Sequence, residues 1–302
     1  MTSRRGTSPV GWSRAAPGLF VLLWSTGFIG AKLGVPYAEP FTFLSLRFTV
    51  VLALMVPLAF MMRARWPATL REVGHIAAAG MLIQGGYLAG CFAAIYHGMA
   101  AGVTALIVGM QPVLTAIAAS PLLGERVTRG QWVGLLLGFA GVALVMWPQA
   151  GIPELDTTSV LWAAVALLSI SAGTLYQKRF CPSFDLRSGS VIQFSGALLL
   201  LLPLALLTET MQVRWTGELV FALAWLALVL SIGAISLLFH LIEHGEAMGV
   251  SSLFYLTPLA TALMAYFIFG ETLTVLMGAG MLLGILGVAL MLRKPGLAVP
   301  EP

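Results

Sequence analysis

The sequence predicts an all-α integral membrane protein: ten transmembrane helices forming two five-helix inverted repeats. Three observations carry this. First, 59% of the 302 residues are hydrophobic and 9% are charged, with a mean hydropathy of +0.95. A soluble domain carries about 25% charged residues, so this chain has too few to cover a water-facing surface. Second, apolar runs fill most of the chain, and about 20 residues at 1.5 Å each cross a hydrocarbon core of roughly 30 Å. The polar–apolar alternation of a membrane β-barrel is absent. Third, the second half repeats the first at a fixed offset.

Proline, glycine and charge clusters divide the apolar runs into helices over 15–34, 41–62, 73–95, 99–120, 128–147, 158–178, 187–207, 218–243, 247–269 and 273–292. The breaks fall at Pro36 and Pro40, Arg63 to Pro67, Gly98, Gly124 to Gly130, Pro148 to Pro153, Pro182, Glu209 to Gly217, Gly245 and Gly270. The basic start followed by an apolar run is read as a retained first helix, because the run is long and no small-residue cleavage site ends it. The domain plan is a cytoplasmic tail over 1–14, a first repeat over 15–150, a second over 151–293, and a cytoplasmic tail over 294–302. The Pro-, Arg- and Ser-rich tails are expected to be unstructured.

The repeat is specific. At an offset of 146, residues 112–144 lie over 258–290 with 15 identities in 33 positions. Pro112 meets Pro258, Gly124-Glu125 meets Gly270-Glu271, and Gly134, Gly138 and Gly141 meet Gly280, Gly284 and Gly287. Weaker matches pair Ser25 with Ser171, Lys32 with Lys178, Phe48 with Phe194, and Pro57-Leu58-Ala59 with Pro203-Leu204-Ala205. Five helices per copy is an odd number, so the second copy enters the membrane from the opposite side. The charges agree: Gly124-Glu125-Arg126-Val127-Thr128-Arg129 becomes Gly270-Glu271-Thr272-Leu273-Thr274-Val275, which keeps the glutamate and loses both arginines. With the N-terminus inside, 13 of 16 Lys and Arg fall on inner segments, so both termini are expected in the cytoplasm. That bias accounts for the basic pI without any nucleic-acid partner. Cys91 and Cys181 are too far apart for a disulfide and match no metal spacing. Inverted repeats are the architecture of secondary transporters, with a solute site near the midplane.

The first-helix pattern Trp24-Ser25-Thr26-Gly27-Phe28 with Lys32, and the Arg47-Phe48 pair in helix 2, resemble the drug/metabolite transporter superfamily. The Pro, Gly-Glu and Gly-Val-Ala-Leu frame in both halves resembles its EamA family, over essentially all of 15–293. The resemblance implies ten helices and transport of amino acids, other metabolites or lipid-linked sugars. The position matching Trp24 in the second half is Ile170, which departs from the family's aromatic preference and implies a wider or less aromatic wall there.

Polar side chains inside a membrane are costly and therefore informative. Gln84, Tyr87 and Cys91 share a face of helix 3 at i, i+3 and i+7. Ser251, Ser252 and Tyr255 cluster before Pro258 in helix 9, and Thr104 and Gln111 lie in helix 4. Trp24, Ser25 and Thr26 lie in helix 1, and Ser169, Ser171 and Thr174 in helix 6. From these, Trp24, Gln84, Tyr87, Thr104, Gln111, Ser251, Ser252 and Tyr255 are taken as solute-binding candidates. The competing reading is interhelical packing, which small hydroxyls commonly serve. Pro112 and Pro258 are candidate hinges, since proline removes a helical hydrogen bond in each copy. His240 is the only obvious proton-relay candidate, though its place near the inner end beside Glu243 and His244 favours a structural role. Two readings fit Lys32 and Arg47, attraction of anionic groups or snorkelling outward with Glu39 as a partner, and snorkelling is expected. The glycine rows Gly130, Gly134, Gly138 and Gly280, Gly284 read as tight helix packing, with a subunit contact as one option.

Both aspartates, Asp156 and Asp185, fall in loops and no glutamate lies mid-helix, which disfavours aspartyl protease chemistry and a carboxylate proton pump. No nucleotide-binding loop, zinc-binding H-E-x-x-H or G-x-S-x-G elbow occurs. No catalytic residue, metal or cofactor is therefore assigned. The reading is a secondary exporter of amino acids (aromatic or other neutral) or related small metabolites, working by alternating access in a bacterial-type inner membrane. A drug or other metabolite efflux carrier on the same fold is the alternative; a passive pore or intramembrane enzyme is disfavoured. The partners are a small-molecule substrate and the lipid bilayer, and the sequence fixes no oligomeric state.

Overall fold

The computed structural model describes residues 10–111, 114–115, 118, 129–146, 156–181, 183–234, 237 and 257–292. The helices are α1 (Val10–Gly34), α2 (Pro40–Met61), α3 (Leu70–Tyr96), α4 (Ala101–Val108), α5 (Arg129–Met146), α6 (Thr157–Phe180), α7 (Leu186–Thr208), α8 (217–234), α9 (Thr257–Phe269) and α10 (Val275–Leu292). Of these, α2, α3, α6 and α7 are each long and apolar enough to cross a membrane. Among the described residues there is no strand, only an isolated antiparallel bridge between Ala38 and Val213.

Polar residues start the helices. Pro40 opens α2, where its missing N–H costs nothing. Thr69, Asp156, Asp185 and Thr216 cap α3, α6, α7 and α8 by accepting backbone N–H bonds. Gly98 and Gly270, at φ +91° and +67°, end α3 and α9 in the left-handed region that glycine enters without strain. After Gly98, Met99 N–H reaches the Ala94 carbonyl at 3.0 Å and closes the last turn.

Two helices depart from the expected α geometry. α3 widens into a π-helical stretch at Met81–Gly86, and α8 does so at Trp225–Ala234. Such stretches are uncommon and concentrate at functional sites.

Large side chains fill the interior: Phe20, Phe43, Phe48, Phe92, Phe194, Leu201, Leu219 and Leu226 are almost wholly buried. The outside is also apolar, with Phe60, Leu161, Leu199, Leu206, Leu207 and Phe267 more than half exposed. Water would not tolerate a belt of that extent, whereas lipid matches it.

Across the two halves, α2 packs on α7, α4 on α9, and α5 on α10. α1 contacts α8 and α9, while α6 contacts α3 and α4; α2 also meets α8, as α7 meets α3. The α5–α10 crossing is a backbone contact. A Cβ on Gly141 would lie 2.5 Å from Gly280 O, and one on Gly287 would lie 2.5 Å from Gly134 O. At Gly134, Gly141, Gly280 and Gly287 the glycine rows therefore serve packing inside one chain.

The bundle has two chemically distinct ends. One gathers Glu39, Asp156, Glu209, Glu218 and Glu271 with Lys32 and Arg214; the other gathers Arg63, Arg65, Arg71, Lys178, Arg179 and Arg187 with Glu72 and Asp185.

Candidate functional site

At the acidic end, contacts join segments distant in sequence. Gly270 turns the chain so that Glu271 ion-pairs with Lys32 of α1 and accepts the Ala101 N–H that opens α4, at 3.2 Å. Lys32 also lies 4.8 Å above the Phe269 ring centroid. Glu209, just past α7, caps α2 through Phe41 N–H at 2.8 Å and Thr42 N–H at 2.7 Å. Glu39 accepts Thr210 N–H at 2.7 Å. The expected pairing of Lys32 with Glu39 is thus corrected: a partner 239 residues away wins because the α9–α10 turn places its carboxylate at the lysine.

A polar cluster lies deeper. Arg47 of α2 is 4% exposed and does not snorkel; it donates from Nη2 to Ser231 Oγ of α8 at 3.1 Å. The reason is geometric. Eight residues into a helix packed on α7 and α8, the side chain meets protein on all sides before it could reach the acidic end. Ser231 lies in the π-helical stretch of α8, and its hydroxyl donates to Leu226 O, five residues back, at 3.0 Å. Tyr87, which closes the π-helical stretch of α3, is within electrostatic reach of Arg47 and hydrogen-bonds Cys91. Gln84 lies inside that stretch, and both Gln84 and Tyr87 are half-buried.

The other candidates divide. Trp24 is half-buried and lies against Phe20, with ring centroids 5.4 Å apart. Ser25 donates to Val21 O at 2.7 Å and contacts Thr257 O at 3.3 Å, joining α1 to α9. Thr26 accepts Trp225 Nε1–H at 2.9 Å. Gln111 donates to Thr174 Oγ1 at 2.9 Å, linking the segment after α4 to α6. Thr104 is fully buried and bonds its own helix at Ala100 O, 3.1 Å away. Pro258 is buried where α9 crosses α4, 3.1 Å from the Cβ position of Gly109. Pro112, His240, Ser251, Ser252 and Tyr255 lie outside the described residues.

Sequence patterning does not single out Ser231 or Trp225; it does single out Arg47, as a cation able to attract anionic groups or to snorkel, and its burial rules out the second. An arginine inside a membrane helix is by default a functional residue, and that signal was present at Arg47. No three His, Cys, Asp or Glu side chains group to hold a metal among the described residues.

A cavity of about 330 Å³ opens at the arginine-rich end, lined by Arg65, Trp66, Glu72, Phe180, Cys181 and Asp185 among others. None of the sequence-derived candidates lines it. The Arg187 guanidinium, and then the Arg65 and Arg187 N–H groups, hold the Asp185 carboxyl well below the usual carboxylate range. Burial pushes the Cys181 thiol up.

The model of the EamA-like transporter family matches this chain twice, over residues 18–147 and 157–293. A Bacillus subtilis protein described as the uncharacterized transporter YvbV is 27% identical over 276 residues, covering 91% of this chain and 89% of its own. A Salmonella typhimurium protein described as a probable amino-acid metabolite efflux pump is 25% identical, covering 89% of this chain and 91% of its own. One crystal structure is similar in fold, with a TM-score of 0.63 at 20% identity over 93% of this chain and 96% of that one. With its apolar helices, lipid-matched exterior and two family matches spanning most of its length, the chain is a multi-pass membrane protein that belongs to the EamA-like transporter family.

Proposed function

We propose that the protein is a secondary exporter of amino acids, aromatic or other neutral, or of related small metabolites, working by alternating access. The observation that carries this is the packing between the halves. Exchanging α1–α5 for α6–α10 turns each main cross-half contact into another one present in the bundle, and the offset of 146 carries Gly141 on Gly280 into Gly287 on Gly134. Both π-helical stretches fall in paired helices, α3 and α8. These features support ten helices in two inverted repeats, 15–150 and 151–293, with short tails over 1–14 and 294–302. An inverted pair places its solute site between the halves and opens alternately to each side.

The arginine-rich end is assigned to the cytoplasm by the retention of positive charge, with both termini there and the acidic end facing out of a bacterial inner membrane. Lys32 and Glu271 are then the outer closure. Solute contacts are assigned to Trp24, Gln84, Tyr87, Gln111, Ser251, Ser252 and Tyr255, with Thr104 supporting the α4 backbone and Pro112 and Pro258 as hinges. The amino-acid reading draws on the printed description of the Salmonella relative and on a core with few fixed charges.

The test is uptake into proteoliposomes of a labelled amino-acid panel, with and without a pH gradient. Saturable flux of at least one neutral amino acid is expected, reduced about tenfold or more by Gln84→Ala and Tyr255→Ala at equal insertion. Flux should follow the solute gradient and survive His240→Gln. Concentrative movement driven by pH alone, abolished by His240→Gln, would instead make that histidine the proton relay. Efflux of cationic dyes with no amino-acid flux would favour the drug-carrier alternative, and non-saturable flux a pore.

A further inference from the structure

We infer that the transported solute carries a carboxylate and that the Arg47 guanidinium receives it. This rests on the transport reading and names the chemical class that the same site takes.

Arg47 is a cation inside a membrane bundle, roughly 10 Å along α2 from its first residue at 1.5 Å per residue. A guanidinium offers five N–H donors, and among the described residues it has one acceptor, Ser231 Oγ. Its Nε is buried without a partner among the described residues. Among the described residues the ion pairs join Lys32 to Glu271, His97 to Asp156 and Arg187 to Asp185, and none includes Arg47. Among the described residues the polar groups facing it are the Ser231 hydroxyl from α8 and the Tyr87 phenol from α3, both neutral. A buried charge with one neutral hydrogen bond is destabilising, and removing it in favour of an apolar residue would relieve the fold. The arginine makes physical sense when an anion joins it during the cycle.

The geometry selects the anion. A planar fork with Nε open matches the two oxygens of a carboxylate, which guanidinium groups bind bidentately. One positive charge balances one negative charge. A dianionic phosphate would leave net charge in the core, because the nearest other cation in α1, Lys32, is already paired. The residue aligned with Arg47 in the second half is Gln193, which donates to Gln177 Oε1 at 2.7 Å and carries no charge. Among the described residues the bundle therefore holds one such cation in this layer, suited to one carboxylate per solute.

The experiment measures thermal stabilisation of the detergent-purified full chain by paired probes. Phenylalanine, leucine, N-acetylphenylalanine and phenylacetate are compared with phenylalaninamide, leucinamide and the methyl esters. The acids should stabilise the wild-type protein at concentrations about 10- to 100-fold below those needed for the amides and esters, as a charged hydrogen bond implies. Arg47→Gln should erase that preference, Arg47→Lys should keep part of it, and Ser231→Ala should keep most of it. Equal action of acids and amides, or a preference that survives in Arg47→Gln, overturns the inference. Equal stabilisation by chloride or inorganic phosphate also overturns it. Where Arg47→Gln does not fold, the acid-against-amide comparison on the wild type decides. If phenylacetate or N-acetylphenylalanine acts and the free amino acids do not, the amino-acid reading falls and the carboxylate assignment stands. If amino acids and their amides act alike, the reverse holds.

Discussion

Arg47 and Gln193 stand at the eighth position of α2 and of α7, each followed by a phenylalanine, and Phe48 and Phe194 meet with ring centroids 5.5 Å apart. Ten residues further along, Pro57 and Pro203 interrupt the two helices at the same place. The apolar frame of the two helices is shared, and their polar chemistry is not. Gln193 completes a bond with Gln177 on α6, whereas Arg47 reaches Ser231 on α8 and keeps a buried Nε without a partner among the described residues. Under the proposed duplication, the positions that fix the crossing of the halves are held alike while those at the solute have diverged. A solute moving from one end to the other would then meet two inequivalent half-sites, one cationic and one neutral.

The largest effect should come where the halves are most alike. Gly141→Ala and Gly287→Ala each place a Cβ 2.5 Å from a carbonyl oxygen across the α5–α10 crossing, where only backbone movement can relieve the clash. Both should destabilise the protein by about 2 kcal/mol or more. Gly278→Ala, in the same helix with open space around it, should be neutral or slightly stabilising, since alanine favours helix. Melting of the three purified variants checks this. A tolerated Gly287→Ala beside a lethal Gly141→Ala would break the equivalence of the two halves at the crossing.

The next effect separates the diverged positions. Gln193→Leu removes the donor to Gln177 and should cost about 1–2 kcal/mol, as expected when a partly buried amide loses its partner. It should leave the acid-over-amide preference unchanged. Thermal shift with phenylalanine and phenylalaninamide on this variant is the measurement. A lost preference would mean that the solute's carboxylate is read from both halves, and Arg47 would no longer stand apart.

The contrast also shows what a sequence can reveal. The helices were legible because the bilayer demands unbroken apolar runs, and because Pro40, Gly98 and Gly270 end elements for backbone reasons that belong to the residue itself. The glycines of α5 and α10 announced a close approach, since small residues every fourth position have few other uses in a membrane. What they approach was not legible. The π-helical stretches at Met81–Gly86 and Trp225–Ala234 leave no periodicity signal, because those segments are apolar around most of their circumference. That hid the geometry around Gln84 and Tyr87 and left Ser231 unnoticed. Arg47 was visible as a cation in a membrane helix, but α2 is apolar on every side, so no stripe told which way the side chain faces. Lys32 had Glu39 seven residues away in sequence, and only the fold could bring Glu271 closer.

The smallest effect lies at the helix starts. Glu39 precedes α2 as Asp185 precedes α7, and each carboxylate accepts a backbone N–H from the opposite half: Thr210 at 2.7 Å, and Arg65 at 3.0 Å. Asp185 differs in also binding the Arg187 guanidinium, at 2.8 Å from Nη2, which holds its carboxyl well below the ordinary range. A carboxyl lowered in the folded state stabilises the fold fully above its unfolded value near pH 4, and that contribution fades as the pH falls through the lowered folded value. Asp185→Asn keeps an oxygen for the helix start but loses the ion pair with the exposed Arg187, and should therefore cost about 0.5–1 kcal/mol at neutral pH. The gap to the wild type should stay constant from pH 7 to pH 5 and narrow only below about pH 4. Glu39→Gln, which keeps an oxygen for Thr210, should cost less than half as much. Melting curves of both variants across that range would decide. A gap for Asp185→Asn that opens as the pH falls would reverse the sign, and Arg187 would then not be what keeps this carboxylate charged.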